Sequence, residues 1–172
     1  MDQAGRALAG HQQHLRREYW CEGAPRMHGE HVTDDTPFSP PAAGAARVLV
    51  ADDHHDSAES FAMLLRLLGK YDVRNSYDGP ATVTSAEEFR PDAMLLDIGM
   101  PGLSGYDVAR EIRSREWGAD VLLIAVTGWG QEEQRRLTAE AGFDHHFVKP
   151  VNPKTLIPII DAHVQERRSK QQ

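Results

Sequence analysis

From Arg47 onward the sequence predicts an α/β fold, a doubly wound parallel sheet of five strands with helices on both faces. Three observations predict it. Short runs of consecutive apolar residues recur, amphipathic stretches of helical length separate them, and Gly, Pro, Asn or Asp mark many of the joints. Runs that are apolar on successive residues, rather than alternating, suit strands covered on both faces, and parallel strands joined by crossover helices are of that kind.

The first strand is Val48-Leu49-Val50-Ala51. The helix after it, Ser57–Leu68, carries Phe61, Leu64, Leu65 and Leu68 at i, i+3, i+4 and i+7, a stripe expected to face the sheet. Asp72-Val73-Arg74-Asn75-Ser76 is half polar and reads as an edge strand, followed by a helix over Pro80–Phe89. Ala93-Met94-Leu95-Leu96 and Val121–Val126 are the third and fourth strands, with helices over Ser104–Arg115 and Glu132–Ala141. Phe147-Val148 is a short fifth strand, and Asn152-Pro153 has the form of an N-cap with proline at the first helical position. Pro158 conflicts with the helix it begins, because it lacks a backbone donor and crowds the carbonyl four residues earlier; that helix is expected to be kinked or to start late.

Residues 1–46 differ in character. They contain scattered glycines and the linker Thr36-Pro37-Phe38-Ser39-Pro40-Pro41-Ala42-Ala43-Gly44, so a flexible lead is expected, with one folded domain over 47–167 and a basic tail over 168–172. A chain of 172 residues, 40% hydrophobic and 26% charged, can build one core but not two ordinary ones. The net charge of −7 is dispersed and no cationic face is clustered, which disfavours direct nucleic-acid binding. There is one cysteine, no signal-like apolar core in the first thirty residues, and no run approaching the ~20 apolar residues of a membrane span. A soluble cytoplasmic protein is expected. His11, His14, Cys21, His28 and His31 are zinc-ligand types, but their spacing matches no closed structural site, and they read as solvated polar residues.

Ligands of open α/β sheets bind beyond the carboxyl ends of the strands, where strand order reverses. Asp52-Asp53 follow the first strand, Asp97 ends the third, Thr127 the fourth, and Lys149 the fifth. Three carboxylates brought together must protonate or share a cation, and Mg²⁺ suits oxygen ligands of this kind. Asp97 is then a candidate nucleophile toward phosphorus, Thr127 a hydroxyl donor and Lys149 a point charge for phosphoryl oxygens. His54 and His55 border the acids, but a surface or capping role is expected of them because Mg²⁺ prefers oxygen. Singly, each residue has a plain structural reading: aspartates near a helix start, a strand-end acid, a turn.

Together, Asp52-Asp53, Asp97-Ile98-Gly99-Met100-Pro101-Gly102, Thr127-Gly128 and Lys149-Pro150 resemble the signature of response-regulator receiver domains of two-component phosphorelays, over roughly residues 47–165. The resemblance implies a flavodoxin-like sheet in the order 2-1-3-4-5, Asp97 as phosphoacceptor, and a Mg²⁺ site of Asp52, Asp53, Asp97 and the Gly99 backbone carbonyl. It further implies Thr127 as switch hydroxyl, Lys149 as phosphate-sensing amine and a cis peptide at Pro150. The sequence departs from the family pattern at His146, where a switch Tyr or Phe is common. Trp129, two residues past Thr127, is a bulky group that would restrict water near an aspartyl phosphate.

The partners implied are a histidine kinase or histidine phosphotransfer protein as donor, and a protein target met through the fourth helix, fifth strand and fifth helix, with dimerisation on phosphorylation as a further option. A receiver acting alone and a shuttle or sink of a hybrid-kinase relay remain open as settings. A phosphatase using the same aspartyl chemistry is disfavoured, because its second acid, two residues after the nucleophile, is here Gly99.

Overall fold

The computed structural model describes residues 44–128 and 132–170, all within the unit spanning Ser39–Gln172. The N-terminal histidines and Cys21, and Trp129, lie outside the described residues. Five strands, β1 (Arg47–Ala51), β2 (Asp72–Ser76), β3 (Ala93–Asp97), β4 (Leu122–Thr127) and β5 (His145–Val148), form one parallel sheet in the order β2-β1-β3-β4-β5. The helices are α1 (His55–Gly69), α2 (Gly79–Phe89), α3 (Gly105–Arg113), α4 (Glu132–Glu140) and α5 (Pro153–Lys170). The half-polar second strand is indeed an edge.

Alternation along the central strands divides the interior into two cores. Val48, Val50, Leu95 and Ile124 face α1 and α5, burying Ala58, Ala62, Leu65, Leu156, Ile160 and Val164. Leu49, Met94, Leu96 and Leu123 face the other side, against Ala86, Phe89, Val108 and Ile112 of α2 and α3. Each strand is therefore apolar on successive residues because each of its faces has a helical cover.

α1 is turned from the expected orientation. Its buried line is Ala58, Ala62 and Leu65, whereas Leu64 and Leu68 are 42% and 47% exposed beside Met63 and Leu67. At about 100° per residue the apolar stripe is centred nearly a quarter-turn away from the true contact line. Alanines on that line let the helix approach the sheet closely, and counting large side chains alone overlooks them.

α5 starts where the Asn152-Pro153 signal places it, and of the two outcomes expected of Pro158 the late start is not seen. The helix runs from Pro153 through Pro158 to Lys170. Pro158 is exposed, and a carbonyl deprived of its helical donor there can be hydrated instead. Tyr71, at the start of β2, donates to the Asp161 carboxylate at 2.8 Å, tying the edge of the sheet to α5; burial and this bond push its hydroxyl pKa well above the ordinary phenol value.

Between α3 and β4 the chain makes a 3₁₀ turn, Glu116–Asp120, absent from the sequence expectation. Gly118 permits it, since a Cβ there would lie 1.8 Å from the Ile112 carbonyl oxygen. Gly118→Ala is expected to destabilise the fold by roughly 1–3 kcal/mol, the usual cost of overpacking, measured as a lower urea midpoint at unchanged slope. Arg113 clamps the same end of the molecule. Its guanidinium donates to the carbonyls of Gly142 (2.9 Å), Gly118 and Val121 (both 2.7 Å) and to Asp144 (2.8 Å), while Asp144 also accepts from the Leu123 amide.

α4 is the least embedded helix, with Thr138 as its buried residue. Among the described residues, no helix is long and apolar enough to cross a membrane.

Candidate functional site

Register builds the site. Ala51 of β1 stands beside Leu96 of β3, so the next residues, Asp52 and Asp97, emerge side by side at the carboxyl edge. Thr127 ends β4 beside Val148 of β5, and Lys149 follows directly. The Lys149–Pro150 peptide is cis. Behind Asp97 the start of α3 is held close: the Gly105 amide donates to the Ile98 carbonyl at 3.1 Å, and a Cβ on Gly105 would come within 2.4 Å of the Asp97 carbonyl oxygen.

Asp52 and Asp97 are both 9% exposed, which makes ionised carboxylates costly unless compensated. Compensation comes from Lys149, whose ammonium donates to Asp52 Oδ2 at 2.7 Å and to Asp97 Oδ2 at 2.6 Å. Burial alone would lower the lysine pKa, but the two hydrogen bonds and attractions outweigh it and hold the pKa above the ordinary lysine value. The other oxygens are also engaged: Asp97 Oδ1 accepts from the Gly99 amide at 3.1 Å, and Asp52 Oδ1 from the His54 amide at 3.0 Å. Asp53 is the more open acid, with a third of its side chain exposed.

Ligand atoms of Asp52, Asp53, His54 and Asp97 all lie within 4.8 Å of one another. Three hard carboxylates so close suit a divalent cation held by oxygen, and Mg²⁺ fits that donor set. Beside the acids a cleft of about 320 Å³ runs along α1 between Asp97, Lys149, Phe61, Leu64 and Val151.

Thr127 is 3% exposed and its hydroxyl lies 3.5 Å from Gln134 Oε1 of α4. His146 is half-buried on β5, with Nδ1 3.2 Å from the Thr138 hydroxyl, again on α4. Both residues singled out as switch positions therefore address one helix, and Gln134 and Thr138 are partners that sequence reasoning missed.

Of the surface or capping role expected of His54, the surface position is observed and the cap is not. His54 occupies the N-cap position of α1 but its side chain makes no capping hydrogen bond. Instead Nδ1 lies 2.9 Å from Asp53 Oδ1 and 3.5 Å from Asp52 Oδ1, and the hydrogen bond to Asp53 raises the imidazole pKa above its ordinary value. His55 is exposed as well, its ring stacked on Tyr77 at 3.7 Å.

A family model for the response regulator receiver domain matches residues 48–161. The DNA-binding response regulator MtrA of Mycolicibacterium paratuberculosis is 35% identical over 119 residues, covering 69% of this chain and 51% of that protein. The transcriptional regulatory protein PrrA of Mycobacterium bovis is 37% identical over 123 residues, covering 72% and 52% respectively. The chain thus spans about half the length of these curated relatives. Among solved structures, a CheY-like receiver domain protein from Methanospirillum hungatei superposes with a TM-score of 0.66 at 25% identity, covering 73% of this chain and 98% of that one. The receiver domain of a sensor histidine kinase from Pseudomonas aeruginosa, with a magnesium ion coordinated in its active-site cleft, gives 0.64 at 33% identity, covering 70% and 98%.

Proposed function

The chain belongs to the response regulator receiver domain family, and from that premise we propose that it accepts a phosphoryl group on Asp97 in two-component signalling. The observation that carries the reading is the Asp97 carboxylate at a strand end, flanked by two further acids and held by Lys149. One Asp97 oxygen attacks the phosphorus of a phosphohistidine on a histidine kinase or phosphotransfer protein. A phosphorus–oxygen bond forms, the phosphorus–nitrogen bond breaks, and the donor imidazole leaves with the electron pair and takes up a proton. Water later attacks the acyl phosphate, returning the carboxylate and inorganic phosphate.

A Mg²⁺ ion bound by Asp52, Asp53, Asp97 and the Gly99 carbonyl would neutralise charge on the transferred group. Lys149 can exchange one carboxylate partner for a phosphoryl oxygen, and the Thr127 hydroxyl can turn from Gln134 to donate to another. Turnover of external substrates is not expected, because Gly99 leaves no second acid where a phosphatase of this chemistry needs one.

The donor must bring its phosphohistidine to the carboxyl edge. The exposed apolar face of α1, continuous with the cleft through Leu64, suits a donor helix laid across it. Output through α4, β5 and α5, to a protein target or a second copy, is supported by the bonds of Thr127 and His146 to α4. A cytoplasmic setting, without direct nucleic-acid contact by this domain, accords with that chemistry. A shuttle or sink role in a hybrid-kinase relay is the second reading, favoured by the 33% identity to a receiver borne on a sensor kinase.

The test is exposure of the full chain to a small-molecule acyl phosphate with Mg²⁺. One phosphoryl group per chain, removed by hydroxylamine and absent when the ion is chelated, is the expected result. Label that survives hydroxylamine would refute an acyl phosphate.

A further inference from the structure

The residue after the acidic pair is the one ring nitrogen among the grouped metal-ligand atoms. Its backbone is fixed from both sides: the His54 amide donates to Asp52 Oδ1 at 3.0 Å, and its carbonyl accepts from the Ala58 amide at 3.0 Å as α1 begins. The side chain is thus free of the capping duty its position allows, and is directed back over the acids.

Octahedral ligands about 2.1 Å from a cation stand about 3 Å apart when they are adjacent. The 2.9 Å separation of His54 Nδ1 and Asp53 Oδ1 matches such an edge, and Asp52 Oδ1 lies 3.5 Å from the same nitrogen, with all the ligand atoms of the group within 4.8 Å of one another. We propose that His54 Nδ1 is a ligand of the cation held by Asp52, Asp53 and Asp97, and that this nitrogen makes the site prefer transition-metal divalent ions such as Mn²⁺ over Mg²⁺. The inference rests on the metal-dependent phosphoacceptor reading above.

The physical ground is ligand softness. Mg²⁺ gains little from exchanging a water for imidazole, whereas first-row transition ions bind imidazole well, and Mn²⁺ also accepts carboxylate and water. Ligation requires Nδ1 without a proton, so the hydrogen bond to Asp53 is replaced by two bonds to one cation. The imidazole proton then resides on Nε2, which faces away from the acids. The side chain is 74% exposed, so little packing resists this exchange.

The experiment compares full-length wild type, His54→Ala, His54→Gln and Asp53→Ala for binding of Mn²⁺ and Mg²⁺, with pulsed electron paramagnetic resonance of the Mn²⁺ complexes. Wild type should show ¹⁴N hyperfine coupling at bound Mn²⁺, and both His54 variants should lose it. Since loss of even an outer partner of a metal ligand costs about 10–100-fold in affinity, Mn²⁺ binding should weaken at least about tenfold in both variants, with Mg²⁺ binding changed less than about twofold. His54→Gln retains a hydrogen-bond donor toward Asp53, so retention of Mn²⁺ affinity in that variant would identify His54 as a hydrogen-bond partner only and overturn the proposal. Absence of ¹⁴N coupling in wild type, or equal weakening for both ions, would overturn it too. In those cases a loss of binding in Asp53→Ala leaves the phosphoacceptor reading standing; undiminished binding in Asp53→Ala would sink both.

Discussion

Replacing Asp97 by asparagine is expected to reduce phosphoryl labelling from a small acyl phosphate by more than about a hundredfold, because an amide oxygen is a poor nucleophile toward phosphorus. The fold should survive. The single amide oxygen of the substituted side chain can keep one of the two bonds that Asp97 now accepts on separate oxygens, from the Gly99 amide or from Lys149, and Lys149 retains its bond to Asp52. Intact-mass measurement after exposure to the donor checks the labelling, and a thermal melt checks the fold. Full labelling of the variant would move the acceptor to Asp52 or Asp53 and overturn the assignment.

Lys149→Met should have the second largest effect, and it acts on stability as well as chemistry. Removal of the ammonium leaves two carboxylates, each only about a tenth exposed, without their shared cation. Breaking a fully buried pair costs about 3–5 kcal/mol, and the lysine here is a third exposed, so a loss of roughly 1–3 kcal/mol at neutral pH is expected in the presence of a chelator. Divalent cation should then restore more stability than it adds to wild type, since positive charge is what the acids lack. Urea titrations with chelator and with Mg²⁺ measure both quantities. A variant as stable as wild type under chelation would mean that the Lys149 contacts contribute nothing net.

Much of this was legible from the chain alone, and the exceptions have physical causes. Strands β1, β3 and β4 announced themselves because burial on both faces demands consecutive apolar residues. Asp52, Asp97 and Lys149 could be placed together because strand ends of a parallel sheet share one edge. The orientation of α1 could not, since Ala58 and Ala62 mark a close approach only once the sheet is there to approach. Pro158 looked disruptive because its solvent-facing position is a tertiary property. The turn of His54 toward the acids was equally hidden: a residue at a helix start can cap it or not, and the sequence Asp52-Asp53-His54 is the same in either case.

The Arg113 clamp has a mechanical meaning. It grips the Gly142 carbonyl just beyond the last turn of α4, while the first turn of that helix reaches the carboxyl edge of the sheet through Gln134 and Thr127. A rod held at one end and released at the other does not slide; it pivots. Turning of Thr127 from Gln134 toward a phosphoryl group would therefore leave α4 free to swing about Gly142, with the largest arc at Glu132 and the smallest at Glu140. His146, bonded to Thr138 near the fulcrum, would feel the torque with little travel. On the proposed function, a short movement at the site would then become an angular one, and the lever arm would be the length of α4 itself.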